Sequence, residues 1–350
     1  MTLAAFLRHL AFAAVLAGLS ASTVHMMIGV GILDRPDPRK AHAVPTPKCG
    51  GVGVVVAFLA GMFVLYHFAD FARLGEPYFR GVILASTGIA AVAFLDDLRD
   101  WPFAVKLVAQ VLAALLAVGS GLYVRVYRLP YIGPVDVGWL GPPATIAWIL
   151  FATNAMNFID GMNGLAAGVG IVTCAFLAFL AEQAGGWFVY AAALLLGAGL
   201  VGFLPFNYPR ARIFMGDVGS QFVGFVLAVL GVAASRFEGV AISFLLVPLL
   251  LSPVLYDVAF TLLRRGLAGE DVTEAHRGHL YQVAARAGMR PTEVAAIYWA
   301  MTAWGGVVCL IFVAASSALK PLAALLPLPV LVAWTLVVML RARRAGLARW

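Results

Sequence analysis

Apolar residues fall in runs of about 20, the length a helix needs to cross a bilayer core of about 30 Å, and polar residues gather between the runs. Eleven runs stand out, at 4–32, 50–68, 80–97, 103–121, 142–159, 164–182, 187–205, 218–235, 239–263, 293–315 and 321–341. None shows the two-residue alternation of a lipid-facing barrel strand, so helices are the expected spanning elements. The pattern predicts an all-α polytopic membrane bundle of about eleven transmembrane helices. No internal repeat or Gly/Ser linker divides it, so residues 1–350 read as a single integral membrane domain. The first run is longer than the apolar core of a signal peptide and is expected to be an uncleaved first span.

Composition strengthens this reading. The chain is 63% hydrophobic and 12% charged, with a mean hydropathy of +0.95, which excludes a water-soluble domain. The net charge of +7 does not imply nucleic acid, because the spans interrupt the basic residues and no continuous patch with aromatics forms. Cys49, Cys174 and Cys309 are far apart and lack a CxxC spacing, so neither a disulfide framework nor a zinc site is expected. Charge also sets orientation. The segments following odd-numbered spans share one side and hold 17 of the 24 Lys and Arg. By the positive-inside rule that side is cytoplasmic and the N-terminus faces outward.

The polar segments that look chemical share the cytoplasmic side, as one composite site would require. Asp96 and Asp97 end the third run; neighbours on a helix point about 100° apart, so the pair suits two roles. Carboxylates suit Mg²⁺ or base chemistry, with an N-cap or a solvated span end as the bland alternative. In FMGDVGS, Asp217 lies between Gly216 and Gly219 where the eighth span begins. Glycines admit a ligand to the backbone and a helix N-terminus favours an anion, although simple capping explains Asp217 equally well. NAMNFIDGMNG places Asn157, Asp160 and Asn163 three apart, on one face if helical. Amides donate and accept, which suits a sugar, a uracil or a metal shell; helix-to-helix bonding is the alternative.

Two further segments add cations. Arg39, Lys40 and His42 precede Pro45 and Pro47, and they suit phosphate binding as well as plain membrane anchoring. HRGHLYQ carries His276, Arg277, His279, Tyr281 and Gln282, a set better matched to a diphosphate than to zinc. Asp257, inside the ninth run, is a functional candidate by default, with Arg264 or Arg265 as its expected partner and a purely structural pairing as the alternative.

Taken in order, DRPDPRKAHAVPTPKCGGVG, FLDDLRD, NAMNFIDGMNGLAAG, FMGDVGS, PVLYDVAFTLLRR and HRGHLYQ resemble the polyprenyl-phosphate N-acetylhexosamine-1-phosphate transferases. The resemblance covers nearly the whole chain. It implies that a polyprenyl phosphate, such as undecaprenyl phosphate, attacks the β-phosphate of a UDP-N-acetyl sugar and releases UMP at the inner membrane. It also implies Mg²⁺, with Mn²⁺ as a substitute. Carried over, Asp96 and Asp97 match the paired aspartates, one of them a base or nucleophile. Asp217 matches the metal-binding aspartate, Asn157 an asparagine near metal and diphosphate, and His279 a histidine of the last loop.

Lys40 and His42 match a first-loop motif. Asp160 and Asn163 are expected to read nucleotide or sugar, Arg277 to bind diphosphate and Tyr281 to shape the sugar pocket. Two departures bear on the branch. Tyr281 and Gln282 replace histidines, and Asn163 stands where the peptidoglycan branch typically has aspartate. Both resemble the branch that initiates O-antigen or related polysaccharides, sometimes with deoxy-N-acetyl sugars. Membrane lipids are the expected surroundings, and a homodimer is left open. A secondary transporter is the rival reading, although such proteins usually show inverted repeats and broken helices at the membrane midplane.

Overall fold

The structure is a computed structural model that describes residues 2–34, 44–68, 77–129, 133–236, 243–271 and 276–347. It is built from helices. α1 (Leu3–Val30) starts where the Thr2 hydroxyl accepts the Ala5 N–H and stops at Gly31, whose φ of +70° is easy for glycine. α2 (Gly51–Phe68), α3 (Pro77–Arg99), α4 (Phe103–Gly119), α5 (Gly141–Ile159), α6 (Leu165–Gln183), α7 (Trp187–Asn207) and α8 (Asp217–Arg236) follow. α9 (Leu246–Leu250), α10 (Ser252–Leu267), α11 (Leu280–Arg286), α12 (Pro291–Ala314), α13 (Lys320–Leu325) and α14 (Pro327–Arg344) complete the order. The only strands among the described residues are two short antiparallel pairs, β1 (Leu33–Asp34) with β2 (Thr46–Pro47) and β3 (Val126–Leu129) with β4 (Gly133–Asp136).

Among the described residues, eight helical segments are long and apolar enough to cross a membrane. The architecture is that of an all-α, multi-pass membrane protein, and the expected count of eleven is not reached by this measure. α4 is apolar but has 17 residues. α5 is long enough, but Pro142, Pro143, Asn154 and Asn157 dilute its hydropathy. The ninth run is not one helix: α9 ends at Leu250 and α10 begins at Ser252. Pro253 explains the break, since it lacks an N–H and its ring clashes with the carbonyl one turn back.

α8 forms the centre, with 94% of its span buried inside the protein against 17% for α1. α3 and α5 pack directly on it, α4 closes against α3 and α5, and α1 and α2 lean on α7. α2 reaches α8 at a point where both chains are reduced to backbone: a Cβ on Gly51 would lie 2.2 Å from Gly219 Cα. The ends of α3 and α5 thereby meet the starts of α2, α4 and α8 at one end of the bundle.

Candidate active site

Asp217 opens α8 directly after Gly216, which has a φ of +76°. Any Cβ there would sit 2.7 Å from Asp97 Oδ2, so the turn needs glycine for its backbone angle and for space. Asp97 is buried, and its two oxygens accept the first N–H groups of α8, from Asp217 at 3.2 Å and Val218 at 3.0 Å. One carboxylate of the pair is therefore committed to capping another helix. Asp96, one residue earlier and 3% exposed, turns elsewhere. Its Oδ1 accepts the Trp101 N–H at 2.8 Å and its Oδ2 meets Lys106 Nζ at 2.6 Å.

Lys106 also reaches Asp217 Oδ2, at 2.8 Å, so one ammonium bridges two carboxylates from different helices. From α5, Asn157 Nδ2 donates to Asp217 Oδ1 and to Ser220 Oγ, both at 2.9 Å. Asp96, Asp97, Asn157 and Asp217, anticipated from sequence, thus converge. Lys106 is the residue that sequence reasoning treats only as a loop charge. Its signal is its place in α4, where Lys106 and Gln110 lie four apart in an otherwise apolar helix.

Asp160 follows α5 and is half-buried. Burial, with the nearby carboxylates of Asp217 and Asp97, holds its carboxyl well above the usual range. Asn163 lies further out, with Nδ2 3.5 Å from the Pro209 carbonyl. Lys40 and His42 lie outside the described residues.

The HRGHLYQ segment packs against the same end of α5. Tyr281, 1% exposed, donates from its hydroxyl to the Phe158 carbonyl at 2.9 Å. The hydroxyl also crowds Gly161, where a Cβ would come within 2.3 Å of it. Tyr281 therefore fixes the loop to α5 beside Asn157, and burial pushes its phenol above the ordinary tyrosine value. The His279 ring lies between Phe158 and His276, with centroids 5.9 and 4.9 Å away.

Asp257 does not take the expected arginine as its main partner. It holds His279 Nδ1 at 3.3 Å, the Leu280 and Tyr281 N–H groups at 2.8 and 3.2 Å, and the Tyr298 hydroxyl. Arg265 instead pairs with Glu270 at 3.0 Å. Arg277 lines a cavity of about 620 Å³ with Arg264, Arg265, His276 and Arg286. Burial, then the neighbouring His279 and arginines, pulls His276 down to about 4, so at neutral pH the arginines supply the charge.

The donor set suits a hard cation. Asp217, Asp96 and the Asn157 amide offer oxygens, and a cationic nitrogen already bridges two of those carboxylates. Among the described residues, no three His, Cys, Asp or Glu side chains are placed to hold a metal ion by themselves. One or two carboxylates with an amide oxygen are the kind of protein ligands a hard cation takes when water and phosphate oxygens complete its shell.

A sequence profile of glycosyl transferase family 4 matches residues 79–235, the segment holding Asp96, Lys106, Asn157 and Asp217. Similar proteins include the decaprenyl-phosphate N-acetylglucosaminephosphotransferase of Mycobacterium tuberculosis, 30% identical over 87% of this chain and 80% of that protein. The probable undecaprenyl-phosphate N-acetylglucosaminyl 1-phosphate transferase of Bacillus subtilis is 28% identical over 73% of this chain and 70% of its own. A putative UDP-N-acetylglucosamine–dolichyl-phosphate N-acetylglucosaminephosphotransferase of Sulfolobus acidocaldarius is 30% identical over 63% and 67%.

Proposed function

The chain belongs to glycosyl transferase family 4, and on that premise we propose that it transfers an N-acetylhexosamine 1-phosphate from a UDP-sugar to polyprenyl phosphate. The observation that carries the reading is the Lys106 bridge between Asp96 and Asp217, with Asn157 beside it. Two phosphate-bearing substrates repel one another, and fixed cations at the meeting point offset that repulsion and the charge that develops. In the reaction an oxygen of the lipid phosphate bonds to the β-phosphorus of the donor. The bond from that phosphorus to the bridging oxygen breaks, and UMP leaves with the electron pair.

Asp96, steadied by Lys106 and the Trp101 N–H, takes the proton of the lipid phosphate. Asp97 holds the start of α8 and so places Asp217. Asn157 and Asp217 would hold Mg²⁺, or Mn²⁺, which supplies charge neutralisation for the diphosphate when bound. Arg277 and His279 donate to diphosphate oxygens, while Asp160 and Asn163 contact nucleotide or sugar and Tyr281 fixes the pocket wall. Lys40 and His42 join as phosphate contacts of the first loop.

Asn163, Tyr281 and Gln282 support a finer reading, in which the product starts a lipid-linked cell-surface polysaccharide such as O-antigen and the sugar is a deoxy-N-acetyl hexosamine. The protein then works in the inner membrane with its N-terminus outward. Purified protein with undecaprenyl phosphate is expected to release UMP from at least one of UDP-N-acetylglucosamine, UDP-N-acetylfucosamine and UDP-N-acetylquinovosamine. EDTA is expected to stop it and Mg²⁺ to restore it. No UMP from any of the three would sink the transfer reading, and preference for UDP-N-acetylglucosamine would remove the deoxy-sugar reading alone.

A further inference from the structure

One helical turn deeper than Lys106, Asn157 and Asp217 lies a second polar layer on the same three helices. Gln110 is four residues after Lys106 on α4, Gln221 four after Asp217 on α8, and Asn154 three before Asn157 on α5. Such spacings put each pair on one helix face. Gln110 and Gln221 are each 2% exposed, where an unsatisfied amide is costly.

Their hydrogen bonds lead from Gln110 through Gln221 to Asp217, while Gln110 and Asn154 exchange a reciprocal pair in which Gln110 Nε2 also donates to Asn154 Oδ1 at 3.3 Å. Gln221 Nε2 donates to Asp217 Oδ2 at 3.1 Å, and Gln221 Oε1 accepts from Gln110 Nε2 at 3.1 Å. Gln110 Oε1 accepts from Asn154 Nδ2 at 2.6 Å, and that same nitrogen donates to the Leu150 carbonyl at 2.8 Å. Reversing Gln221 would aim its oxygen at a carboxylate, and reversing Gln110 would face two oxygens together at Gln221. The Asp217 end therefore sets the sense of Gln221 and Gln110, and the Leu150 carbonyl sets that of Asn154. In return the row delivers an oriented N–H to the same oxygen that Lys106 touches, while Asn157 holds the other.

We propose that Gln110 and Gln221 are positioning residues for the transferase reaction, forming with Asn154 an amide relay that holds the Asp217 carboxylate in its working orientation. This rests on the transfer reading above. Asp217 alone could rotate about its side-chain bonds; with Asn157 on Oδ1 and with Lys106 and Gln221 on Oδ2, one orientation satisfies all three donors. The relay gives two glutamines a role in a buried layer that leucine would fill at lower cost.

The experiment compares wild type, Gln221→Leu, Gln110→Leu and the double variant in detergent, with UMP release for kcat and KM and thermal unfolding for fold. The expected result is a fall in kcat of about 10-fold or more in each single variant, the loss of one oriented hydrogen bond. The KM for polyprenyl phosphate should stay within about twofold, because neither glutamine is placed on that substrate. The double variant should be no slower than the slower single one, since one break already cuts the relay.

A kcat within about twofold of wild type in folded Gln221→Leu overturns the relay, as do single-variant effects that multiply in the double. If a single variant does not fold because it strands one buried amide, the double variant decides: near wild-type kcat there overturns the proposal, and the 10-fold fall upholds it. A wild type without UMP release would instead defeat the transfer reading, so the two failures are told apart.

Discussion

Lys106 shows how much one side chain carries. Its ammonium lies within 2.6 and 2.8 Å of two carboxylate oxygens, and removing it would leave two like charges facing each other in a partly buried pocket. Lys106→Met keeps the length of the apolar stem and deletes only the charge. Turnover should fall roughly 10²-fold or more, the usual scale for losing a fixed charge-stabilising group, with UMP release as the measurement. Turnover within tenfold of wild type would mean that Asp96 and Asp217 work without the bridge. Asp217 is readable from sequence because the flanking glycines announce a tight turn into a helix. Lys106 is not, because it stands three residues inside an apolar helix where a positive charge reads as span-end anchoring.

Two of the helices that present site residues, α8 and α11, start in the same way: each has its first N–H groups capped by a buried aspartate from elsewhere. Asp97 of α3 caps α8, and Asp257 of α10 caps α11. A carboxylate from elsewhere supplies acceptors for helix-start N–H groups that have no partner within their own helix, in α11 beside the Gln282 Oε1 that accepts the His279 N–H. Asp257 also holds Thr261 Oγ1, His279 and Tyr298, so it ties α10, α11 and α12 together.

Asp257→Asn keeps the volume but exchanges one accepting oxygen for a donor. It should cost about 2 kcal/mol or more, because buried N–H donors then lose their acceptor. The check is thermal unfolding in detergent, and an unchanged Tm would remove Asp257 from this role. Length and hydropathy make the membrane class and most long apolar helices readable from sequence, but eight segments rather than eleven meet the spanning measure among the described residues and the ninth run is two helices. Sequence pointed Asp257 to arginines seven and eight residues away, whereas, Thr261 apart, its partners lie 22 to 41 residues on, a distance that the packing of α10 on α11 and α12 closes.

At the scale of the whole molecule, the alternation of helix directions brings the site residues to one end of the bundle. α3 and α5 arrive there with Asp96, Asp97 and Asn157, while α4 and α8 depart with Lys106 and Asp217. The opposite end carries the β3–β4 hairpin and Trp139, which is 80% exposed before α5 begins. The excess of Lys and Arg lies with the site, so that end should face the cytoplasm, where a soluble UDP-sugar is made available.

The protein is suited to a direct test of this orientation, because Cys49, Cys174 and Cys309 are all buried and should give little background to a thiol reagent. A new cysteine at Ala268→Cys, exposed at the end of α10 on the site's side, should react with a membrane-impermeant maleimide only after permeabilisation. Trp139→Cys should react in intact cells without its outer barrier. The reverse pattern would put the site outside, away from any cytoplasmic nucleotide-sugar, and the transfer reading would lose its donor.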